Sequence, residues 1–152
     1  MSKSEFSIQI CNWDAARNEA RRIRDLVFVQ EQGVPRELEW DAEDAQCQHA
    51  LAYAADGRAI GTGRLLPDGH IGRMAVLPEV RGKGVGARLL NALIELARSR
   101  GHRAVRLNAQ VQALGFYRRH GFDIEGPQFL EAGIPHVTMR RELNPGQAQS
   151  AC

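Results

Sequence analysis

The run Arg81-Gly82-Lys83-Gly84-Val85-Gly86-Ala87 constrains this chain more than any other segment. Its three alternating glycines stand where an apolar stretch, His70 to Leu77, gives way to a helical pattern carried by Val85, Leu89, Leu90, Leu93, Ile94 and Ala97. A strand must therefore turn sharply into a long helix, the junction on which α/β domains are built. The first N–H groups of such a helix have no partner within it. Glycines leave them uncovered, so the turn can take an anion such as a pyrophosphate, and the helix dipole adds a favourable field. Arg81 and Lys83 can add charge contacts or simply face solvent. A glycine-rich turn without a ligand is the bland alternative.

Two familiar phosphate motifs do not fit. Gly82-x-Gly84-x-x-Ala87 satisfies the loose dinucleotide fingerprint, but that turn belongs after the first strand of its fold and needs an acidic residue about 20 residues on. The next strand here, Ala104 to Ala109, carries no Asp or Glu. A P-loop fails as well, because Lys83 is followed by glycine and not by Ser or Thr.

The rest of the chain supplies the elements around that turn. Phe6 to Cys11 alternates as a half-buried strand, and Ala16, Ala20, Ile23, Leu26 and Val27 mark an amphipathic helix from about Asp14 to Gln30, stopped by Gly33 and Pro35. An irregular acidic stretch follows (Glu37, Glu39, Asp41, Glu43 and Asp44 around Trp40). His49–Ala55 and Ala59–Leu66, joined by Asp56-Gly57, predict a hairpin, and Pro67-Asp68-Gly69 turns the chain into His70 to Leu77. Beyond the long helix, which ends at Gly101, come the strand Ala104 to Ala109, a short helix Val111 to His120 and strands Phe122 to Glu125 and His136 to Arg141. The order β-α-(α)-β-β-β-α-β-α-β-β predicts an α/β domain over residues 1–143 with a mixed, mostly antiparallel sheet of six to seven strands flanked by helices. Residues 144–152, polar with Pro and Gly, are expected to form a flexible tail.

At 152 residues and 43% hydrophobic, the chain can bury a core without staples. Cys11, Cys47 and Cys152 are too few and scattered for a disulfide framework, and none has metal-ligand spacing, so no metal is expected. A polar N-terminus and the lack of a long apolar run point to a cytoplasmic protein without a membrane partner. The net charge of +2 demands no nucleic acid. Arginine clusters (Arg98, Arg100, Arg103, Arg106; Arg118, Arg119) have few aromatics among them, which weakens an RNA-binding reading.

The segment Met74-Ala75-Val76-Leu77-Pro78-Glu79-Val80-Arg81-Gly82-Lys83-Gly84-Val85-Gly86-Ala87-Arg88-Leu89-Leu90 resembles the acetyl-CoA-binding motif of the GNAT superfamily of N-acetyltransferases. Asn108-Ala109-Gln110 followed by Phe116-Tyr117-Arg118-Arg119-His120-Gly121-Phe122 is similar to that superfamily's later segment. Phe28 to Pro35 and Ala132 to His136 resemble marks of a small bacterial subgroup. The resemblance implies that strands 70–77 and 104–109 run parallel and splay to hold acetyl-CoA. Met74, Ala75 and Val76 would offer backbone groups to the pantetheine arm, Arg81, Gly82, Lys83, Gly84, Val85, Gly86 and Ala87 would hold the pyrophosphate, and Asn108 would sit at the splay, unless it is only a strand-end turn former. The partner is then a small-molecule or peptide amine. Dimers are frequent in the family, which leaves a homodimer open.

Amine attack on a thioester needs a neutral nucleophile, a proton acceptor and a donor to the departing thiolate. At pH 7 a lysine-like amine is neutral about once in 2,500 molecules, a handicap of roughly 4.6 kcal/mol. Tyr117 corresponds to the family's general acid. Many relatives carry a glutamate on the strand before the glycine turn, where this chain has Gly72 in Ile71-Gly72-Arg73. Glu31, the pair Glu39 and Asp41, and His136 are substitutes for the base, His136 because imidazole titrates near neutrality. Gly72 also motivates an alternative, a non-catalytic acyl-CoA sensor or interaction module. The acidic stretch hints at a cationic acceptor.

Overall fold

The computed structural model describes residues 5–39 and 41–143; the expected tail lies outside them. Strand β1 (Phe6–Cys11) leads to helix α1 (Trp13–Arg24), whose N-cap Asn12 accepts the Ala15 N–H at 3.0 Å. The expected helix to Gln30 does not stay α-helical. It widens to a π-helical segment, Asp25–Glu31, which ends before Gly33 at φ 76. The wider turn carries Val27 and Phe28, both of which line the cavity described below. A single turn, α2 (Arg36–Glu39), and a 3-10 segment (Ala42–Gln46) carry the acidic stretch.

Strands β2 (Gln48–Ala54), β3 (Ala59–Leu65) and β4 (Ile71–Val76) form the predicted antiparallel meander, with β1 paired antiparallel on β2. Every residue of β3 is buried because helices cover it on both faces. Helix α3 (Val85–Ser99) lies against the face that carries Gly61 and Gly63. A Cβ on Gly61 would come 2.9 Å from Leu89 Cδ1, and one on Gly63 would meet Met74 Sδ at 2.5 Å, so two hydrogen side chains set how closely α3 approaches. On the other face, Thr62 and Arg64 point towards α1.

Strand β5 (Ala104–Gln110), the short helix α4 (Leu114–Arg119), β6 (Asp123–Glu131) and β7 (Ile134–Glu142) complete the chain. The strands form two hydrogen-bonded sheets, β1-β2-β3-β4 and β5-β7-β6, where the sequence predicts one. Among the described residues, a parallel bridge between His70 and Arg106 is the one backbone pairing that joins the β4 side to β5. Past it the two strands diverge, as the splay expectation requires. Val105, Leu107, Met139 and Phe122 extend the core of Ile23, Leu89, Leu90, Leu93 and Ile94 across the seam.

Candidate active site

The divergence of β4 and β5 opens a cavity of about 720 Å³ between the sheets. Met74, Ala75 and Val76 line one side, Leu107, Asn108 and Gln110 the other, and Val27, Phe28, Val34 and Leu38 close it from the π-helical segment and the turn after it. This size and mixture of apolar wall and few polar groups suits a small-molecule site. Beyond the His70–Arg106 bridge, β4 has a strand partner on its β3 side alone. Its outer edge is open to an extended ligand.

Tyr117 of α4 and His136 of β7 both line the cavity. Burial pushes the Tyr117 hydroxyl up to about 12, so it keeps its proton through neutral and moderately alkaline solution. His136 is 7% exposed and its Nδ1 lies 2.6 Å from the Ile134 carbonyl oxygen. A carbonyl can only accept, so Nδ1 donates and the neutral ring carries its lone pair on Nε2. Phe129 stacks on the imidazole at 6.0 Å and helps fix its plane. Asn108 sits opposite Thr138 in the β5–β7 ladder; it accepts from Thr138 Oγ1 at 2.9 Å and donates to Glu131 at 3.2 Å.

Glu31 is engaged elsewhere. Arg81 Nη1 and Nη2 donate to its two carboxylate oxygens at 2.8 and 2.7 Å, and Arg81 Nε donates to the Val76 carbonyl at 2.9 Å. The guanidinium thus ties the π-helical segment to the end of β4. Its hydrogen bonds hold Glu31 below the ordinary carboxylate range, which makes Glu31 a poor proton acceptor near neutrality. Arg81 lines the cavity while Gly82 to Ala87 lie beyond its wall, with Gly82, Lys83 and Gly84 exposed. Gly82 and Gly84 have φ of 81 and 86, and no side chain caps the first turn of α3. That leaves backbone N–H groups for an anion, as the glycine pattern requires. Val85 is buried against Gly61, so only its backbone can serve there.

At the other end of β4 lies a group that the sequence does not announce. Arg24 is 1% exposed; it donates to both Asp44 oxygens at 2.9 and 3.0 Å and pairs with Glu39. Arg64, 5% exposed, donates to Asp44 at 2.8 Å and Asp41 at 2.7 Å. Arg73 reaches Asp41 at 3.4 Å and Glu39 at 4.0 Å. Burial, the largest single effect on Asp44, would raise its carboxyl, but Arg24 and Arg64 together pull it below the usual range. Three acids of the stretch, Glu39, Asp41 and Asp44, are therefore engaged by the buried Arg24 and Arg64 and the half-buried Arg73, while Glu37 and Glu43 stay exposed. The same engagement sets Glu39 and Asp41 aside as free bases.

A β-bulge shapes this end. Thr62 pairs with Ala75 and Arg64 with Gly72, so Arg73 and Met74 stand opposite Gly63 alone. Arg73 absorbs the extra residue at φ 49, a left-handed backbone unusual for a residue with a Cβ, and its side chain lines the cavity. The sequence clue was Arg64, a charge inside an otherwise apolar and glycine strand.

The acetyltransferase (GNAT) domain profile matches residues 14–143. An uncharacterised N-acetyltransferase of Bacillus subtilis (strain 168), YjcF, is 38% identical over 124 residues, 79% of this chain and 88% of that protein. A crystallised Lactobacillus plantarum protein assigned as an N-acetyltransferase superposes with a TM-score of 0.85 at 31% identity, covering 93% of this chain and 100% of its own. An acyl-CoA N-acyltransferase from Pseudomonas aeruginosa gives 0.79 at 28% identity, over 90% of this chain and 99% of its own. With the splayed sheets and the uncapped glycine turn, these likenesses place the chain in the GNAT acetyltransferase family, and the protein is an acyltransferase.

Proposed function

We propose that this acyltransferase moves acetyl from acetyl-CoA to a primary amine by direct attack while both substrates are bound. The observation that carries the reading is the cavity at the seam, which has a one-sided β4 edge on one wall and both Tyr117 and His136 in its lining. Met74 to Val76 would present backbone groups to the pantetheine arm, and the amides of the turn Gly82 to Ala87, with Lys83 beside them, would hold the pyrophosphate.

His136 Nε2 takes the proton that the amine gives up as its nitrogen bonds to the thioester carbon. The Tyr117 hydroxyl faces the sulfur as the carbon–sulfur bond breaks. Full transfer from a phenol near 12 to a thiolate with an ordinary pKa of about 8.5 is uphill. The hydroxyl therefore acts chiefly by donating a hydrogen bond to the departing thiolate, which takes its proton from solvent as product leaves while His136 gives its proton back to solvent. Asn108, braced by Thr138 and Glu131, polarises groups at the mouth of the splay.

The test is release of free CoA thiol with a panel of primary amines at saturating acetyl-CoA. Tyr117→Phe is expected to lower kcat about a hundredfold, and His136→Gln by a similar factor that shrinks as pH rises and the amine deprotonates unaided. Acetyl-CoA binding without thiol release from any amine would favour the non-catalytic sensor. Failure of acetyl-CoA to bind or to raise the Tm would end both readings.

A further inference from the structure

Two guanidinium nitrogens in the charged cluster are buried and lack a hydrogen-bond partner among the described residues, Nε of Arg64 and Nε of Arg73. An orphaned buried donor is destabilising, more so when charged, so each needs an explanation. Both flank the same place. A Cβ on Gly72 would have a single neighbour within 4 Å among the described residues, Arg64 Nε at 3.9 Å, and Gly72 lines the cavity beside Arg73. Apart from its chain neighbours, the space left by the absent side chain therefore has the unpartnered Arg64 Nε behind it, and Arg73 follows Gly72 along the cavity wall.

The acids nearby do not fill that gap. Asp44 is taken by Arg24 and Arg64, Asp41 by Arg64, and Glu39 by Arg24, leaving Arg73 with its two acids at 3.4 and 4.0 Å. Burial first, and then repulsion from Arg64 and Arg24, holds the Arg73 guanidinium below its ordinary value, and Asp41 and Glu39 offset this only in part. Across the seam, Glu131 lines the same cavity with the opposite sign.

We infer that the acetyl acceptor carries a carboxylate, and that Arg73 and Arg64 receive it over Gly72. This rests on the acetyl-transfer reading above. The two unpartnered donors of Arg64 and Arg73 suit the two acceptor oxygens of one carboxylate, and a guanidinium is the side chain suited to hold one. An amine at the other end of the acceptor then meets Glu131 and His136. The substrate class is small amino carboxylates. The bulge at Arg73 is what turns a strand residue into part of this subsite, and Gly72 is the space that the ligand's own acid occupies.

Matched acceptor pairs test this directly, using the full chain. β-Alanine, 4-aminobutyrate and their carboxamides differ in charge while their amine basicity changes little. At saturating acetyl-CoA the acids are expected to exceed the amides in kcat/KM by at least tenfold. Arg73→Met should bring that ratio towards one, and Gly72→Glu, which fills the gap with the protein's own carboxylate, should bring it to one or below. Gly72→Glu keeps the test open if Arg73→Met does not fold, because Gly72 has no positive φ and its added Cβ meets nothing closer than 3.9 Å. Equal use of acid and amide by the wild type, or an unaltered ratio in the folded variants, overturns the inference. Should no amine release thiol, the Tm of the CoA-saturated protein decides. A rise with the acids alone that Gly72→Glu abolishes supports the subsite, and no acid-specific rise overturns it. Loss of acetyl-CoA binding is read separately, as failure of the acetyl-transfer reading.

Discussion

The two ends of β4 meet a ligand in opposite ways. At its C-terminal end the chain runs through Gly82, Lys83 and Gly84, exposed residues that offer backbone N–H groups and one mobile charge. At its N-terminal end, Gly72 stands beside three arginines and three acids drawn from α1, the acidic stretch, β3 and β4, half of them buried. One end is built from neighbours in sequence and, on the proposed reading, would hold the pyrophosphate of the cofactor. The other is assembled from residues as far apart in sequence as Arg24 and Arg73, and its shape depends on the whole fold. The contrast suits an enzyme whose one substrate is shared with its family and whose other substrate is its own.

The contrast can be broken most sharply at Arg24. Arg24→Met leaves Asp44 and Glu39 buried with half their partners gone, and should cost about 3–5 kcal/mol in urea unfolding. If the loss is below about 1 kcal/mol, the cluster is not a structural unit. The same end should govern acid stability. Asp44 has a lowered carboxyl in the folded state, so its contribution is present above the unfolded value of about 3.9 and disappears as pH falls through the folded one. Unfolding free energy of the wild type should fall below about pH 4, and Asp44→Asn should flatten that slope while lowering the plateau.

Predictions at the glycine end are smaller. Gly84→Ala puts a Cβ on a residue at φ 86, a conformation costing about 1–2 kcal/mol for a non-glycine residue. Nothing lies within 4 Å of the added atom, so the cost is conformational. Acetyl-CoA affinity measured by calorimetry should drop by a comparable amount, with the acceptor KM little changed. Smallest of all is Glu31→Gln. Its pair with Arg81 is about two-fifths exposed on each side, which screens it, and an exposed pair contributes about 0.2–1 kcal/mol at most. Stability and kcat should stay within about twofold equivalents of wild type. A large fall in kcat would return Glu31 to the role of base.

These expectations also mark what the sequence could disclose. The glycine turn, the Asp56-Gly57 hairpin and the apolar face of α3 are local signals, readable because backbone conformation and helical period depend on adjacent residues. Asn108 and Tyr117 were nameable because a resemblance carried their roles, His136 because of its imidazole chemistry, and the fold brings all three to one cavity. The length of β6 was missed since Gly126-Pro127 reads as a breaker; in the structure Gly126, at φ 105, lies within a register shift between Ile124 and Gln128, and the strand continues to Glu131. The widening of α1 into a π-helical segment has no signature in hydrophobic spacing, because Val27 stays on the buried face in either geometry. The charged cluster was invisible for a different reason. Arg24 reads as a surface position on an amphipathic helix, Arg64 as an anomaly and Asp44 as one acid among several; only packing brings them within 3 Å.

The single backbone bridge between the sheets bears on how the molecule breathes. Each sheet keeps its own ladder of amides, and nothing but His70–Arg106 and side-chain packing obliges one ladder to open with the other. Their amides should therefore exchange with solvent as two cooperative units of different free energy. A molecule lying in the seam touches both, and its arrival should be recorded as the merging of two exchange classes into one.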